Sequence, residues 1–481
     1  MSMTDISFIF VFLPISLLII LLKPNWQKYF LLALSLVFYS CGSPKYLFLF
    51  VGLTIINTFL AHLIQILKSV NVFKKVVSLI ILIMGILINI VVLFYYKYYD
   101  FSVSTINSIF NITITTKNLL LPMGISFFSF KAISLLIDVY KNTIILNNNP
   151  AYSMLYLSFY SQVISGPIAR YGEFYANYTP VNLGKGIFER FSQGSHLFLR
   201  GFCKKVLFAN ILSPLVVEVF SSNIEKTPTA TLWIGSIAYS LQLYYDFSGY
   251  SDMAIGIGQM HGINCKENFN YPYSTSSISE FWRRWHISLG SWFRDYIYFP
   301  MGGSRVNSKF RLYFNLLIVW LLTGIWHGAN WTFIFWGFVY FFLISFEKTV
   351  KLPERIKNKP LKLIYRILCL LLINFQWIIF NSPNISYGLR YIKYMIIGNA
   401  SDTFTDIRTI VLLQQYGLIM IVALILVMPV IPKLKEVLRK RNQILFSFMN
   451  LVFTVALIIL FIFGISFVMA GQNNPFLYGN F

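Results

Sequence analysis

Residues 322–333 read Leu-Thr-Gly-Ile-Trp-His-Gly-Ala-Asn-Trp-Thr-Phe. They place His327 near the end of one long apolar run, near residues 311–329, just before a second, near residues 331–347. A membrane span needs about 20 mostly apolar residues, and a helix satisfies its own backbone hydrogen bonds in lipid. A histidine in such a span is costly to bury without a partner, and it can exchange a proton near neutral pH. The segment therefore predicts a helical membrane protein with chemistry inside the membrane.

The composition of the whole chain agrees with this prediction. The 481 residues are 57% hydrophobic and 12% charged, which is more apolar surface than a soluble domain of this size could bury. Apolar runs of spanning length predict an all-α polytopic protein with roughly 10–12 transmembrane helices. No repeat, low-complexity tract or long linker is evident, so we expect a single membrane domain over residues 1–481.

The charge of the chain is strongly basic, with a formal net charge of +22. The charges fall in short loops between apolar runs and no nucleic-acid motif is present. We therefore expect contacts with anionic membrane lipids rather than with nucleic acid. Placing the N-terminus outside makes the first two basic loops, at 23–28 and 68–75, cytoplasmic. The four cysteines are far apart and show no metal-ligand spacing, so no metal site is expected.

Two segments in the middle of the chain are too polar or too broken for simple spans, at residues 160–171 and 268–303. Irregular backbone at membrane depth is tolerated only where it is buried in protein or lines an aqueous cavity. Both segments are therefore candidates for re-entrant half-helices around a central funnel. The alternative is that they are ordinary amphipathic loops on the cytoplasmic surface.

A second histidine, His286, lies in the polar segment beside Arg283, Arg284 and Trp285. Arginine suits phosphate because its planar guanidinium donates two parallel hydrogen bonds, so these residues are candidates for binding a phosphorylated acyl donor. Anchoring of Trp and Arg among lipid headgroups remains an equal alternative.

Two acids, Asp246 and Asp252, lie in an apolar stretch that is predicted to be helical. Their spacing of six residues puts them on different faces of a helix, so they are not a paired-carboxylate site. Acids inside membranes usually pair or line a cavity. We expect a structural or cavity-lining role, for example pairing with an arginine from the 283–284 or 294 region. A catalytic role is the alternative.

Three other histidines, at 62, 196 and 261, have ordinary structural interpretations, as packed or helix-end residues. The chain also lacks a nucleophile elbow, a Walker loop and a zinc-protease motif. His327 as a general base that activates a hydroxyl for acyl transfer needs little else beyond a docked donor. A buried histidine that is hydrogen-bonded between helices is the alternative.

At these residues the sequence resembles the membrane-bound O-acyltransferase family, and most closely its branch of alginate and peptidoglycan O-acetyltransferases. The motifs that carry the resemblance are weak singly but specific together, and they cover most of the chain: residues 121–128 (Leu-Pro-Met-Gly-Ile-Ser-Phe-Phe), 165–168 (Ser-Gly-Pro-Ile), 201–207 (Gly-Phe-Cys-Lys-Lys-Val-Leu), 246–254 (Asp-Phe-Ser-Gly-Tyr-Ser-Asp-Met-Ala), 269–273 (Phe-Asn-Tyr-Pro-Tyr), 281–289 (Phe-Trp-Arg-Arg-Trp-His-Ile-Ser-Leu) and 323–328 (Thr-Gly-Ile-Trp-His-Gly).

The resemblance implies an enzyme that transfers an acyl group, expected to be acetyl from cytoplasmic acetyl-coenzyme A, toward an envelope or exported polysaccharide. It implies that His327 is the main catalytic residue, deep in a funnel of helices, and that His286 is a second polar position. It further implies a multi-pass protein of the cytoplasmic (inner) membrane, no bound cofactor, and an extracytoplasmic partner of the SGNH hydrolase-like type. Gly290 departs from the family pattern, where serine is common, and this leaves the assignment of His286 unchanged.

Residues 474–481 read Asn-Pro-Phe-Leu-Tyr-Gly-Asn-Phe, the pattern F-x-Y-x-x-F. The pattern resembles a short motif of related systems in which the tyrosine is proposed to carry the acyl group. Tyr478 is therefore a candidate acyl acceptor, and an interfacial tyrosine anchor is the alternative. Other functions that remain open are D-alanyl transfer to teichoic acid, lipid or protein acylation, and non-catalytic transport of acyl groups.

Overall fold

A computed structural model describes residues 1–67, 72–176, 178–181, 186–399, 403–471 and 477 of the chain. Over those ranges the regular secondary structure is entirely helical, apart from an isolated antiparallel bridge between Tyr178 and Ile263. The predicted all-α fold is confirmed.

Seven helices in the described ranges are long and apolar enough to cross a membrane. The polytopic prediction is therefore confirmed, although by this measure the number is below the expected 10–12. The seven are Pro44–Leu67, Phe73–Phe110, Lys309–His327, Trp331–Arg355, Lys359–Asn381, Ile407–Leu426 and Gln443–Met469.

Interruptions and polar residues explain why other apolar runs fall short of this measure. Residues 6–22 are a further apolar run of the sequence, but they give an apolar helical stretch of only Phe8–Leu21. Another apolar run, at residues 119–140, gives the helix Ile125–Tyr140, with 16 residues. A third apolar run, at residues 229–257, lies in the helix Thr229–Met260, which carries Asp246 and Asp252. Hydrophobicity of a run therefore predicts helix here more reliably than it predicts a simple span.

Contacts between Cα atoms divide the chain into two compact units. The first contains Met1–Phe198 and Tyr250–Glu267, and the second contains Leu199–Gly249 and Asn268–Leu477. The helices wholly within the first unit are Phe8–Phe12, Leu13–Leu17, Leu18–Leu21, Pro24–Gly42, Pro44–Tyr46, Leu47–Leu67, Val72–Leu93, Phe94–Tyr98, Tyr99–Phe110, Ile125–Tyr140, Ala151–Ser158, Tyr160–Val163 and Tyr171–Ala176.

The second unit contains both predicted catalytic histidines. Two further helices, Ile187–Cys203 and Thr229–Met260, contribute residues to each unit. The helices wholly within the second unit are Lys204–Asn210, Ile211–Phe220, Pro272–Ser274, Ile278–Arg284, Ile287–Phe293, Arg294–Tyr298, Lys309–His327, Trp331–Val350, Leu352–Arg355, Lys359–Asn381, Ile385–Ile397, Ile407–Leu426, Val430–Arg441 and Gln443–Met469.

The two polar segments are broken, as predicted. In the first, a four-residue helix at Tyr160–Val163 is followed by irregular backbone whose residues are buried as far as Ala169. The second is divided into short helical pieces, among them Ile278–Arg284 and Ile287–Phe293. Buried irregular backbone is what the half-helix interpretation requires. Their arrangement around a funnel stays a prediction.

The helices Lys309–His327 and Trp331–Val350 form a tight pair, which we call the His327 hairpin. A Cβ atom on Gly324 would lie 2.4 Å from the carbonyl oxygen of Phe333, and one on Gly337 would lie 2.4 Å from that of Trp320. Only glycine permits this approach of the two backbones. The side chain of Asn330 accepts the N–H of Thr332 and begins the second helix. The hairpin fixes His327 at the end of its first helix.

Candidate active site

His327 is the last residue of the helix Lys309–His327, and its side chain is 2% exposed. The centroid of its ring lies 5.0 Å from that of Trp326, 5.1 Å from that of Trp336 and 5.2 Å from that of Phe380, each at a steep angle. Edge contacts of this kind hold an aromatic ring in one orientation. The imidazole therefore sits in a fixed, largely aromatic enclosure in which electrostatic interactions are strong.

His286 lies at the bend between the helices Ile278–Arg284 and Ile287–Phe293, with φ of 45° and ψ of 54°. This left-handed conformation is unfavourable for a residue with a Cβ atom, so the surrounding structure must hold it in place. The ring is buried, and its centroid lies 4.6 Å from that of Phe247 in an edge-on contact. Burial lowers the pKa of His286 to about 3, so its imidazole is neutral at physiological pH.

Asn268 orients His286 through a small polar network. The backbone N–H of Ser288 donates to Asn268 Oδ1 at 3.1 Å and the Ser288 hydroxyl donates to it at 2.9 Å, while His286 Nδ1 lies 3.3 Å from the same oxygen. Because an amide oxygen only accepts, this contact assigns the ring proton to Nδ1, and Ser288 Oγ lies farther from Nδ1, at 3.5 Å. Nε2 of the neutral ring is then the basic nitrogen. Sequence analysis did not single out Asn268, although it begins the predicted polar segment.

Trp326 brings the two histidines together. The centroid of its ring system lies 5.0 Å from that of His327 and 5.8 Å from that of His286. The two residues predicted to carry chemistry are 41 positions apart in sequence, yet both contact this one indole. The structure thus joins them in one site, and their catalytic roles stay predictions.

The three predicted donor-binding residues have different surroundings. Trp285 is buried against the rings of Phe281 and Trp377, at 5.4 and 5.0 Å between centroids, so it is not an interfacial headgroup anchor. Arg284 is half-buried and pairs with Glu280, with 2.6 Å between Nη2 and Oε1. Arg283 is exposed. Donor binding by these residues stays a prediction, and the exposed guanidinium of Arg283 is the most accessible of the three.

Glu347 holds the helix that leads to His286. Its carboxylate accepts the backbone N–H groups of Ile278 and Ser279, at 2.7 and 2.8 Å, and the hydroxyl of Tyr365, at 2.6 Å. An anion at a helix N-terminus satisfies donors that lack partners within the helix. Glu347 was not among the residues predicted from the sequence, where the available signal was an acid at the end of the apolar run 331–347.

Asp246 is buried, and within the described part of the chain its charge partner is Lys205 rather than an arginine, so that expectation is wrong. Its Oδ1 lies 2.5 Å from Nζ of Lys205, and both side chains are nearly inaccessible. The lysine comes from the motif at residues 201–207, which the resemblance included without a role for it. Asp252 lies on the same helix and is half-buried. The cavity-lining role of both acids stays a prediction.

Tyr478 lies outside the described residues, while its neighbour Leu477 is described. Among the described residues, no group of three or more His, Cys, Asp or Glu side chains could hold a metal ion. The site as described therefore consists of two histidines, the indole they share, and the network around Asn268.

The chain is similar in sequence to known membrane acyltransferases over most of its length. The model of the membrane-bound O-acyltransferase family matches residues 147–389, which include both histidines. A probable alginate O-acetylase of Azotobacter vinelandii is 36% identical over 389 residues, covering 80% of this chain and 75% of that protein. The peptidoglycan O-acetyltransferase of Helicobacter pylori is 34% identical over 423 residues, covering 81% and 78%. The teichoic acid D-alanyltransferase of Bacillus subtilis is 29% identical over 246 residues, covering 48% and 61%.

Proposed function

Because the chain belongs to the membrane-bound O-acyltransferase family and is a multi-pass O-acyltransferase, we propose that it moves acetyl from acetyl-coenzyme A to an envelope or exported polysaccharide. The observation that carries the proposal is the contact of both histidines with Trp326 within the family's matched region. The similarity to an alginate O-acetylase and to a peptidoglycan O-acetyltransferase supports acetyl as the transferred group and a glycan as the acceptor.

In the proposed reaction His327 acts as the general base. Its imidazole takes the proton from the acceptor hydroxyl as the oxygen attacks the acetyl carbonyl, the C–S bond of the thioester breaks, and the proton passes to the departing thiolate. The aromatic enclosure keeps the ring in one orientation and limits water around it. Positioning and the low dielectric of the site then supply most of the rate enhancement.

In the same scheme His286 is the second polar group of the site. As a neutral ring with its proton on Nδ1 it offers Nε2 as an acceptor. The acceptor hydroxyl has a single proton, which goes to His327, so Nε2 of His286 accepts instead from another N–H or O–H group of the bound substrates. The exposed Arg283 is the candidate contact for the phosphates of the donor.

The acceptor nearest to the reaction is proposed to be the phenol of Tyr478. Acetylation of the phenol gives an aryl ester, which is a good onward donor, and it spares the enzyme from binding a polymer inside the membrane. An extracytoplasmic transferase of the SGNH type would then deliver the acetyl group to the glycan. This route fits a protein of the cytoplasmic membrane with its N-terminus outside, which the basic loops favour.

D-alanyl transfer is the second candidate function, and the similarity to the teichoic acid D-alanyltransferase favours it. The F-x-Y-x-x-F segment argues for acetyl transfer, because in the other system that motif is expected on a separate peptide. Supplying purified protein with acetyl-coenzyme A or with a D-alanyl carrier-protein thioester separates the two. The proposed function requires turnover of the acetyl donor.

The test in cells measures alkali-labile acetate on purified envelope polysaccharide. A deletion strain would carry either the wild-type chain, His327→Ala, or the matched control His62→Ala, at equal membrane levels. His62 is half-buried, and its Nε2 makes no hydrogen bond within the described part of the chain, so its loss should leave acetate unchanged. We expect acetate to disappear only with His327→Ala. Unchanged acetate in that strain would reject the proposal.

A further inference from the structure

Asp246 and Lys205 form a buried ion pair within the second unit. Nζ of Lys205 lies 2.5 Å from Asp246 Oδ1 and 2.8 Å from Oδ1 of Asn210, and the two charged side chains are 2% and 1% exposed. Lys205 lies in the π-helical segment Lys204–Asn210, a geometry that is frequent at functional sites. A buried pair of this kind is weak evidence for stability alone, so another role should be sought for it.

Close backbone packing helps to bring the pair together. One turn beyond Asp246, a Cβ atom on Gly249 would lie 2.7 Å from the carbonyl oxygen of Gly201 and 3.0 Å from the backbone nitrogen of Lys205. A larger residue at this position would push the two helical segments apart. The carboxylate is therefore held at a fixed place, with Oδ1 facing the ammonium.

The other carboxylate oxygen receives a backbone group from a distant part of the chain. The N–H of Leu477 donates to Asp246 Oδ2 at 3.1 Å, across 231 positions of sequence. A hydrogen bond to a charged acceptor is roughly twice as strong as a neutral one. Because the donor is a main-chain group, the bond fixes the backbone at Leu477 and does not depend on the side chain of that residue.

We propose that the carboxylate of Asp246, held by Lys205, docks the segment that carries Tyr478 and so presents its phenol for acylation. We call this contact, made by Asp246, Lys205 and the N–H of Leu477, the Asp246 anchor. Tyr478 follows Leu477 directly, and consecutive Cα atoms are about 3.8 Å apart. A fixed Leu477 therefore limits the space that the phenol can reach. This inference rests on the proposed relay through Tyr478.

The Asp246 anchor is next to the candidate active site. Phe247, the residue after Asp246, makes the edge-on ring contact with His286, at 4.6 Å between centroids. Asp246 is thus a positioning residue that acts through the segment it holds. Loss of the anchor should slow transfer to Tyr478, whereas attack of water on the donor at His327 should continue.

The test removes the backbone N–H of Leu477, which donates to Asp246, and leaves the buried ion pair intact. Leu477→Pro in the full chain eliminates the N–H, and the matched control Leu477→Ala keeps it while also losing the side chain. Purified protein would receive acetyl-coenzyme A with labelled acetyl, and label on the chain and released acetate would both be followed. We expect Leu477→Pro to label about tenfold more slowly, with acetate release unchanged, and Leu477→Ala to label at the wild-type rate.

Equal labelling rates for Leu477→Pro and the wild type would overturn the anchor. The relay itself is tested separately, because Tyr478→Phe should carry no label. If Tyr478→Phe is labelled, the relay fails, and hydrogen exchange then tests the anchor alone. In that measurement the amide of Leu477 should exchange about tenfold faster in Asp246→Asn than in the wild type. Equal exchange would reject the anchor.

Discussion

His286 Nδ1 lies 3.3 Å from Asn268 Oδ1, and this contact determines which ring nitrogen of His286 carries the proton. The backbone reinforces the contact, because the N–H of Ile287 donates to the carbonyl oxygen of Asn268 at 3.0 Å. Both the side chain and the main chain of Asn268 therefore hold the bend at His286. Asn268 thus restrains the strained left-handed backbone conformation of His286.

Asn268→Ala should lower the rate of acetyl transfer about 100-fold, since a misplaced catalytic group can cost that much. Asn268→Asp should retain orientation, because a carboxylate accepts the same hydrogen bonds. Its negative charge favours the imidazolium, so the pKa of His286 should rise above its value of about 3. The acid limb of the pH–rate profile of Asn268→Asp should then lie at higher pH than in the wild type. Coincident acid limbs would contradict this role of Asn268.

Burial of neutral His286 predicts a dependence of stability on pH. The pKa of this residue is about 3 in the folded chain and 6.5 in the unfolded chain, so between these values the unfolded state binds the additional proton. The contribution of His286 to stability is complete above pH 6.5 and falls as the pH falls, by up to about 1.4 kcal/mol per pH unit.

His286→Asn is the appropriate variant, because an asparagine can keep a donor near Asn268 and tolerates positive φ. Lacking the titration, it should lose less stability than the wild type between pH 7 and pH 5. Thermal unfolding in detergent at several pH values measures the difference. Parallel losses in the two proteins would show that His286 does not contribute as predicted.

Glu347→Gln should destabilise the protein by about 2–3 kcal/mol, because the amide weakens bonds to a charged acceptor and directs a donor at backbone N–H groups. Tyr365→Phe removes only one of these bonds and should cost about 1 kcal/mol. Thermal unfolding compares the two variants with the wild type. Equal losses would mean that Glu347 is not the support of the helix Ile278–Arg284.

Gly337→Ala should open the His327 hairpin, because the added methyl group would lie 2.4 Å from the carbonyl oxygen of Trp320. A cost of about 1–3 kcal/mol is expected from such overpacking. Gly417→Ala is the matched control, since a Cβ atom there has no neighbouring atom within 4 Å, and alanine favours helix. Lower thermal stability and slower acetyl transfer should appear with Gly337→Ala alone.

Local patterns in the sequence predicted the features that depend on hydropathy or on short motifs. These include the helical membrane fold and the broken segment around His286, because burial in lipid requires helices and makes polar interruptions conspicuous. The catalytic role of His327 stays a prediction. The contact of both histidines with Trp326 was not predicted, because the sequence does not show which helices meet.

The polar supports of the site were harder to predict for the same reason. Asp246 was assigned an arginine partner from charge alone, whereas its partner is Lys205, 41 positions earlier in the chain. Glu347 bonds to backbone N–H groups, which every non-proline residue has, so no sequence pattern marks the partner. Contacts that use the main chain become visible only in the three-dimensional structure.

Asp246 and Leu477 are far apart in sequence, and this separation affects the order in which contacts form while the chain is being synthesised. The His327 hairpin and the bend at His286 are held by contacts between residues close in sequence, and such contacts can form as soon as these segments have emerged. The bond between Asp246 and Leu477 has to wait until residue 477 has left the ribosome. The histidines can therefore be assembled in a nascent chain before Leu477 is available to Asp246, so the Asp246 anchor is the last of these three contacts to form.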